Sequence, residues 1–266
     1  MRTPDTEASP FRADLLAGRV VLITGGGTGI GRAIAEECAS LGAHIALCGR
    51  RIEPVTALAE ALTARGAQAM AESVDIRQSE SIERFVDAVV ARFGTVDVLV
   101  NNAGGQFPSP AQNISPKGFE AVVRNNLLGT FNVTRAVATK VMIAQGHGRI
   151  VNIIANVARG FPGMAHTGAA RAGVENLTRS LAVEWSPYKI NVNAVSPGTI
   201  RSTGTDQYPP ALLEKAERST PWRRLGTPNE VAHLVTYLAS DAADYITGAT
   251  FCIDGGAPLW GDIWEM

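Results

Sequence analysis

Short apolar runs alternate with longer amphipathic stretches along most of the chain. The runs are rich in β-branched residues and lie at 19–24, 44–49, 69–75, 96–100, 148–154, 190–195 and within 246–256. Most are apolar on both faces, which is typical of strands buried in a parallel sheet. Between the runs, apolar residues recur at three- and four-residue spacing, which predicts amphipathic helices such as one over 79–93.

This alternation predicts an α/β fold. Parallel strands need crossover connections, and right-handed crossovers favour a doubly wound sheet. We therefore expect a single Rossmann-type parallel sheet of about seven strands with helices on both faces. A late helix is predicted by Thr227-Pro228-Asn229-Glu230, in which Thr227 can cap the helix and Glu230 can bond back to the cap amide.

No repeat, charge block or flexible linker divides the sequence. The chain is therefore interpreted as a loose N-terminal arm over 1–16 followed by one domain over 17–266. Turn formers and a short helical pattern at about 199–222 indicate a lid over the substrate. Gln106 and Phe107, just after the fourth strand, are candidates for substrate contact from the opposite side.

Composition and charge narrow the class of protein. Among 266 residues, 45% are hydrophobic and 18% charged, with a net charge of −1, so nothing favours binding to nucleic acid or anionic lipid. No apolar run reaches the ~18 residues of a membrane span.

Cys38, Cys48 and Cys252 lack disulfide or metal-site spacing and are interpreted as buried small side chains in a reducing compartment. We expect a cytoplasmic protein without a metal site.

A glycine-rich turn links the first strand to the first helix. Gly25 permits a tight turn, Gly29 leaves room for a diphosphate, and Gly31 allows the helix to pack closely on the strand. Thr28 and Ile30 belong to the same turn. Because a helix N-terminus presents free amides and partial positive charge, this junction predicts a dinucleotide site.

The end of the second strand predicts which dinucleotide binds. An acidic residue there usually meets a free ribose 2′-hydroxyl, but this chain has Arg50 and Arg51. Two guanidinium groups suit a 2′-phosphate, which favours NADP(H). The alternative is that both arginines are simply the solvated start of a helix.

Four motifs in order resemble the short-chain dehydrogenase/reductase superfamily over roughly 17–256. They are TGGGTGIG at 24–31, NNAG at 101–104, NLLGTF at 126–131 and SPGTI at 196–200. The resemblance implies further cofactor contacts from Asp75 and Ile76 beside the adenine, Asn102, Ala103 and Gly104 along the ribose, Pro197, Gly198 and Ile200 near the nicotinamide, and Ser202 near the phosphates. It also implies a homotetramer formed through helices near 118–143 and 168–187 and through the last strand.

The chain departs from the superfamily at its usual serine, tyrosine and lysine. Ala155, Thr167 and Arg171 stand at those positions, and no tyrosine occurs between 150 and 187. An aliphatic hydroxyl is a poor acid and arginine does not relay protons, so ketone reduction loses its usual proton donor. Reduction of a conjugated carbon–carbon double bond instead needs stabilisation of an oxyanion.

Segments 101–119 and 160–185 resemble the peroxisomal-type trans-2-enoyl-CoA reductases and, more distantly, the 2,4-dienoyl-CoA reductases. This resemblance implies an NADPH-dependent oxidoreductase that reduces the double bond of an enoyl thioester. Two alternatives stay open. One is an atypical alcohol dehydrogenase or ketoreductase without the tyrosine–lysine pair, and the other is an NADP-binding scaffold without redox activity.

Three residues are the predicted catalytic set. Thr167 is interpreted as a hydrogen-bond donor to the substrate carbonyl or as the cap of a helix beginning at Gly168. Arg171 is assigned to the nicotinamide ribose and the developing oxyanion, or else to a structural ion pair. Asn126 either holds a water or a helix bulge beside the site or makes a core hydrogen bond. His166 is expected to serve packing rather than acid catalysis, and Asn156 is a candidate replacement for the missing serine.

Overall fold

The computed structural model describes residues 9–205 and 208–259. Its seven parallel strands are hydrogen-bonded in the order β3-β2-β1-β4-β5-β6-β7. Their bounds are β1 Val20–Thr24, β2 His44–Gly49, β3 Ala69–Ser73, β4 Val98–Asn101, β5 Gly148–Ile153, β6 Ile190–Pro197 and β7 Thr250–Ile253. The predicted parallel, doubly wound sheet is confirmed.

Helices cover both faces of this sheet. Their bounds are α1 Gly29–Ser40, α2 Ile52–Ala64, α3 Ser79–Phe93, α4 Pro116–Val123, α5 Gly129–Val137, α6 Ile143–Gln145, α7 Ala165–Glu184, α8 Pro210–Arg218 and α9 Pro228–Ala239. Alternate strand residues enter separate cores, so that Val21 and Ile23 pack with α1, α2 and α9 while Leu22 packs with α3, α5 and α7. This two-sided burial explains why the strands are apolar on both faces.

The segment from α4 to α6 contains two π-helical turns. They span Arg124–Leu128 and Ala138–Met142 and join α4 to α5 and α5 to α6. Asn126 lies in the first of them, as the predicted helix bulge requires. Such bulges are frequent at functional sites because they reorient side chains within a helix.

The segment expected to form a loose arm is packed along its described part. Leu16 is fully buried, and its amide donates to the Leu41 carbonyl at 2.9 Å. Phe11 and Leu15 pack against the core beside α1 and α9. The hydrophobic residues of 9–16 therefore attach this stretch to the domain, while 1–8 and 260–266 lie outside the described residues.

The capping box of α9 offers a direct stability prediction. Thr227 Oγ1 accepts from the Glu230 amide at 3.3 Å, and Glu230 accepts from the Thr227 amide at 2.8 Å. We expect Thr227→Ala to lower the free energy of unfolding by about 1 kcal/mol, measured by urea denaturation. Thr139→Ala, at an exposed helical threonine, serves as the control. Equal losses in the two variants would contradict a specific capping contribution.

Candidate active site

A cavity of about 550 Å³ opens at the carboxyl ends of β1, β2 and β4. The strands β2 and β3 follow β1 on one side and β4 to β7 lie on the other, so the strand order switches between β1 and β4. In open α/β sheets, ligands bind in the crevice at such a switch point. Eleven of the predicted cofactor residues line it: Gly25, Thr28, Gly29, Ile30, Arg50, Arg51, Ile76, Asn102, Ala103, Gly104 and Ser202.

The glycines of the turn have the expected conformations. Gly25 and Gly29 have φ values of +64° and +54°, a region that side chains disfavour. A Cβ on Gly31 would lie 2.5 Å from Asn102 Nδ2 and closer still to the Gly25 carbonyl oxygen. Gly31 therefore permits the close approach of α1 to the turn, although it does not itself line the cavity.

Asn102 fastens the glycine turn to the end of β4. Its side-chain amide donates to the carbonyls of Thr24 and Gly25 at 3.1 and 3.0 Å. In return, Thr24 Oγ1 accepts from the amides of Asn102 and Ala103. Asn102 thus holds the glycine turn and the end of β4 together in the cavity wall.

One end of the cavity is positively charged. Arg50 and Arg51 line it directly before α2, so they are both the start of a helix and part of the cavity wall. Val74 and Ile76 line the same cavity. The carboxylate of Asp75 is held by Arg77 at 2.6 Å, and this hydrogen bonding lowers the pKa of Asp75 to about 2.

The SPGTI motif lies beside the cavity rather than in its wall. Gly198 follows Pro197 at the end of β6 and packs against Asp254, where a Cβ would lie 2.8 Å from the Asp254 Cα. Ile200 is buried and lines a separate cavity of about 320 Å³. Ser202 is the member of this region that reaches the glycine turn, 3.6 Å from the position of a Cβ on Gly29.

Arg171 is buried on α7, with 8% of its surface exposed. Its Nη1 donates to the Ile153 carbonyl at 2.8 Å, and among the described residues its Nε has no hydrogen-bond partner. Burial lowers the pKa of Arg171 to about 10, which still leaves the side chain cationic at neutral pH. Within the described part of the chain no carboxylate pairs with Arg171, so nothing there supports the alternative of a structural ion pair.

Asn126 joins Arg171 at the loop after β4. Its Nδ2 donates to the Gly105 carbonyl at 2.7 Å and to the Val122 carbonyl at 2.8 Å. A Cβ on Gly104 would lie 2.7 Å from Asn126 Oδ1 and even closer to Arg171 Nη2. The structure thus brings Asn126 and Arg171 together against Gly104, which lines the cavity although the other two residues do not.

Thr167 is also fully buried, but it does not cap α7. The helix begins at Ala165, two residues earlier, so the predicted helix start at Gly168 is wrong. Thr167 Oγ1 lies 3.3 Å from Nδ1 of the preceding His166. Its hydroxyl is therefore coupled to that imidazole.

His166 is fully buried beneath two phenylalanines. The centroid of its ring lies 4.5 Å from that of Phe107, in an edge-to-face arrangement, and 6.4 Å from that of Phe119. Asn156, the candidate replacement for the missing serine, donates its side-chain amide to the Asp254 carboxylate at 2.7 Å. Packing explains only part of the environment of His166, because a polar ring nitrogen stays without a partner among the described residues.

The loop at 104–107 contacts the predicted lid. Gln106 Nε2 donates to the hydroxyl of Tyr208 at 3.2 Å. Tyr208 precedes α8, so this bond joins the two segments that sequence patterns assigned to opposite sides of a substrate. Tyr208 was not identified from the sequence because it lies far from the usual tyrosine position.

Sequence reasoning missed several other cavity residues: Gly27, Pro54, Val55, Val74, Thr203 and Gly204, with Asn125 not favoured over Asn126. Val74 could have been found as the neighbour of Asp75. Pro54 and Val55 could have been found from their place in the first turn of α2 after the arginine pair. The others depend on how loops close over the sheet.

The remaining sequence predictions concern metals, membranes and cysteines. Within 9–205 and 208–259, no cluster of metal-ligating side chains and no helix capable of crossing a membrane is found. Cys38 and Cys48 are buried, which raises the pKa of each thiol to about 12. Cys252 is exposed, so its predicted burial is wrong, because β7 lies at the edge of the sheet.

The fold is a doubly wound α/β domain with a cavity at the carboxyl ends of its strands, and comparison with known proteins identifies its family. Residues 25–258 match the family model described as enoyl-(acyl carrier protein) reductase. The chain therefore belongs to this family of short-chain dehydrogenases/reductases, which confirms the resemblance found from the motifs.

Individual relatives are similar over nearly the whole chain. A peroxisomal 2,4-dienoyl-CoA reductase [(3E)-enoyl-CoA-producing] of Danio rerio is 40% identical, covering 94% of this chain and 84% of the relative. A probable 2,4-dienoyl-CoA reductase of Bacillus subtilis is 38% identical over 90% of this chain and 96% of its own length. The solved structure of a citronellol catabolism dehydrogenase (AtuB) from Pseudomonas aeruginosa PAO1 superposes with a TM-score of 0.85 at 43% identity, covering 94% and 98%.

Proposed function

We propose that this protein is an NADPH-dependent reductase of conjugated carbon–carbon double bonds in enoyl or dienoyl thioesters. The observation that carries the proposal is the chemistry at Arg171, which lies against Gly104 of the cavity wall. A buried cation, Arg171, stands at the usual lysine position, and no phenol occupies the usual tyrosine position. The names of the dienoyl-CoA reductase relatives support the same substrate class.

The described residues fit NADP(H). Gly25, Gly29 and the start of α1 form an anion-binding turn, and Arg50 and Arg51 supply donors for a 2′-phosphate. The cavity volume of about 550 Å³ falls in the range of cofactor sites. When bound there, NADPH would supply the hydride.

The protein side chains would then have to stabilise negative charge. Hydride addition to a conjugated thioester places that charge on the thioester oxygen, and a proton from water finally reaches the α carbon. The positive field of Arg171 favours this charge, because the guanidinium is buried and carries no carboxylate partner among the described residues. Asn126 holds the Gly105 backbone and so positions the adjacent Gly104 against Arg171.

For a 2,4-dienoyl thioester the same charge spreads along the longer conjugated system. Hydride then adds at the far end of the diene, and protonation at the α carbon leaves a double bond at position 3. The Danio rerio relative carries the product description (3E)-enoyl-CoA-producing. A site that stabilises the thioester oxyanion without an oxygen acid suits both substrates.

Substrate selection tests this proposal. We expect NADPH consumption with a trans-2-enoyl-CoA or a 2,4-dienoyl-CoA and negligible consumption with a 3-ketoacyl-CoA of equal chain length. Oxidation of a secondary alcohol with no turnover of conjugated thioesters would instead favour the atypical dehydrogenase. Tight NADPH binding without turnover of any of these substrates would favour a scaffold.

Coenzyme preference gives a second prediction. We expect the double variant Arg50→Ala/Arg51→Ala to raise the Kd for NADPH by about 10- to 100-fold, because each charge-assisted bond contributes about 1.5–3 kcal/mol. The Kd for NADH, measured by fluorescence titration, should change by less than about threefold. Arg65→Ala, at the other end of α2, controls for the loss of positive charge. Equal weakening of both coenzymes would contradict recognition of the 2′-phosphate.

We also propose that four copies of this chain form a homotetramer. Leu128 and Phe131 are exposed on the helical segment that the superfamily uses for assembly, and Val183 is 75% exposed on α7. Exposed apolar side chains on these helices support an interface there. Light scattering on the purified protein should give the mass of four chains, whereas a monomer mass would overturn this part.

A further inference from the structure

We propose that His166 is the neutral hydrogen-bond donor to the thioester oxygen of the substrate. The inference rests on the proposed function and identifies the group that contacts the developing oxyanion. It follows from the hydrogen bonds of the imidazole, from its burial and from what covers it.

The backbone contact of His166 indicates which tautomer its neutral ring adopts. The amide of Thr167 donates to both His166 Nδ1 at 2.8 Å and the Met164 carbonyl at 2.9 Å, and the Thr167 hydroxyl lies 3.3 Å from the same ring nitrogen. A nitrogen that accepts a hydrogen bond carries no proton, so the neutral ring has its proton on Nε2. The start of α7 thereby fixes a single tautomer.

This Nε2–H group has no partner among the described residues, although His166 is fully buried. A buried donor without an acceptor is costly, and such groups often mark a site that a ligand completes. Arg171 Nε, on the next turn of α7, is a second buried donor without a partner among the described residues. Two unpartnered donors therefore lie within two turns of one helix.

The cover over His166 can give way to a substrate. Phe107 packs edge-to-face on the imidazole, yet 41% of the phenylalanine is exposed, and Phe119 is 40% exposed. Phe107 also belongs to the loop that meets Arg171 and Asn126 through Gly104. An acyl thioester that enters beside this loop replaces the Phe107 contact and presents its oxygen to Nε2.

A neutral imidazole suits this chemistry. It donates a hydrogen bond that strengthens as charge grows on oxygen, and it leaves the positive charge of the site to Arg171. Thr167 then acts as a positioning residue, since its hydroxyl and amide both face Nδ1. This assignment differs from direct donation by Thr167 and can be separated from it experimentally.

The test compares four variants with NADPH and a 2,4-dienoyl-CoA. His166→Asn can keep an acceptor for the Thr167 amide but lacks a donor at the Nε2 position, and His166→Phe lacks both. We expect each to lower kcat by about 10²- to 10³-fold with KM nearly unchanged. His166→Gln can place an amide nitrogen at the Nε2 position and should recover at least about tenfold of that loss.

Thr167→Val distinguishes the two donors. It keeps the backbone amide that fixes the tautomer, so we expect kcat to fall by less than about tenfold. A loss with Thr167→Val as large as that with His166→Asn would overturn the assignment of His166 as the donor. Unchanged NADPH Kd and melting temperature in each variant exclude a fold defect.

A measurement on the wild-type enzyme does not depend on any variant folding. In ¹H–¹⁵N spectra optimised for histidine rings, the Nε2–H signal of His166 should move downfield when a saturated acyl-CoA binds with NADP⁺. An unmoved signal, or full kcat in His166→Asn, overturns this inference while leaving the reductase function intact. Failure of the wild type to reduce any conjugated thioester refutes the proposed function itself.

Discussion

Replacing Arg171 with methionine is expected to lower kcat for reduction of a conjugated thioester by about 10²- to 10³-fold. Methionine fills much of the same space but removes the positive charge and the hydrogen-bond donors. The buried guanidinium has no carboxylate partner among the described residues, so its field is available to the substrate. Stopped-flow measurement of NADPH oxidation reports the chemical step directly.

Two further variants separate the charge from the rest of the side chain. Arg171→Lys keeps a cation and should fall between the wild type and the methionine variant, since lysine lacks the planar fork of donors. Arg179→Met removes an arginine two turns later on α7, where it pairs with Glu175 at 2.5 Å on the surface. We expect this control to retain activity within about twofold. Similar losses in Arg171→Met and Arg179→Met would contradict a local electrostatic role.

Replacing Gly31 with alanine is expected to weaken NADPH binding by about 10- to 100-fold and to destabilise the fold by about 1–3 kcal/mol. The added methyl group would press on the Gly25 carbonyl and on Asn102, which together shape the phosphate-binding turn. Calorimetric titration with NADPH and urea denaturation measure the two effects.

Helix propensity predicts the opposite effect of this substitution on stability. Alanine is favoured over glycine within a helix by about 1 kcal/mol, so propensity alone predicts a more stable variant. Gly31 lies in the first turn of α1, where only the steric conflict opposes that gain. A stabilised variant with unchanged NADPH affinity would show that the close packing of α1 on the turn is unnecessary.

The architecture could be predicted because its causes are local and periodic. Each predicted strand coincides with an observed one to within a few residues, since burial of both faces requires continuous apolar runs. The α9 capping box also follows from residue types three positions apart. The glycine turn was predictable because its conformation depends on residues that lack side chains.

The catalytic end was less accessible to sequence reasoning. Arg171 and Asn126 could be named, but their meeting at Gly104 depends on a π-helical turn and on how α7 docks against β5. The start of α7 was misplaced because Met164 precedes it without a side-chain cap. Because the helix start was misplaced, the bond from the Thr167 amide to His166 could not be predicted.

The fate of isotopic label tests the central claim most directly. The protein would be incubated in D₂O with NADPH and a 2,4-dienoyl-CoA, and then in H₂O with NADPH carrying deuterium at the transferred position. We predict one solvent deuterium at the α carbon in the first case, and one cofactor deuterium on a carbon of the former diene in the second. A 2,4-dienoyl-CoA that stays unlabelled in both incubations, while a 3-ketoacyl-CoA supplied instead gains cofactor deuterium at its carbinol carbon, would contradict the account.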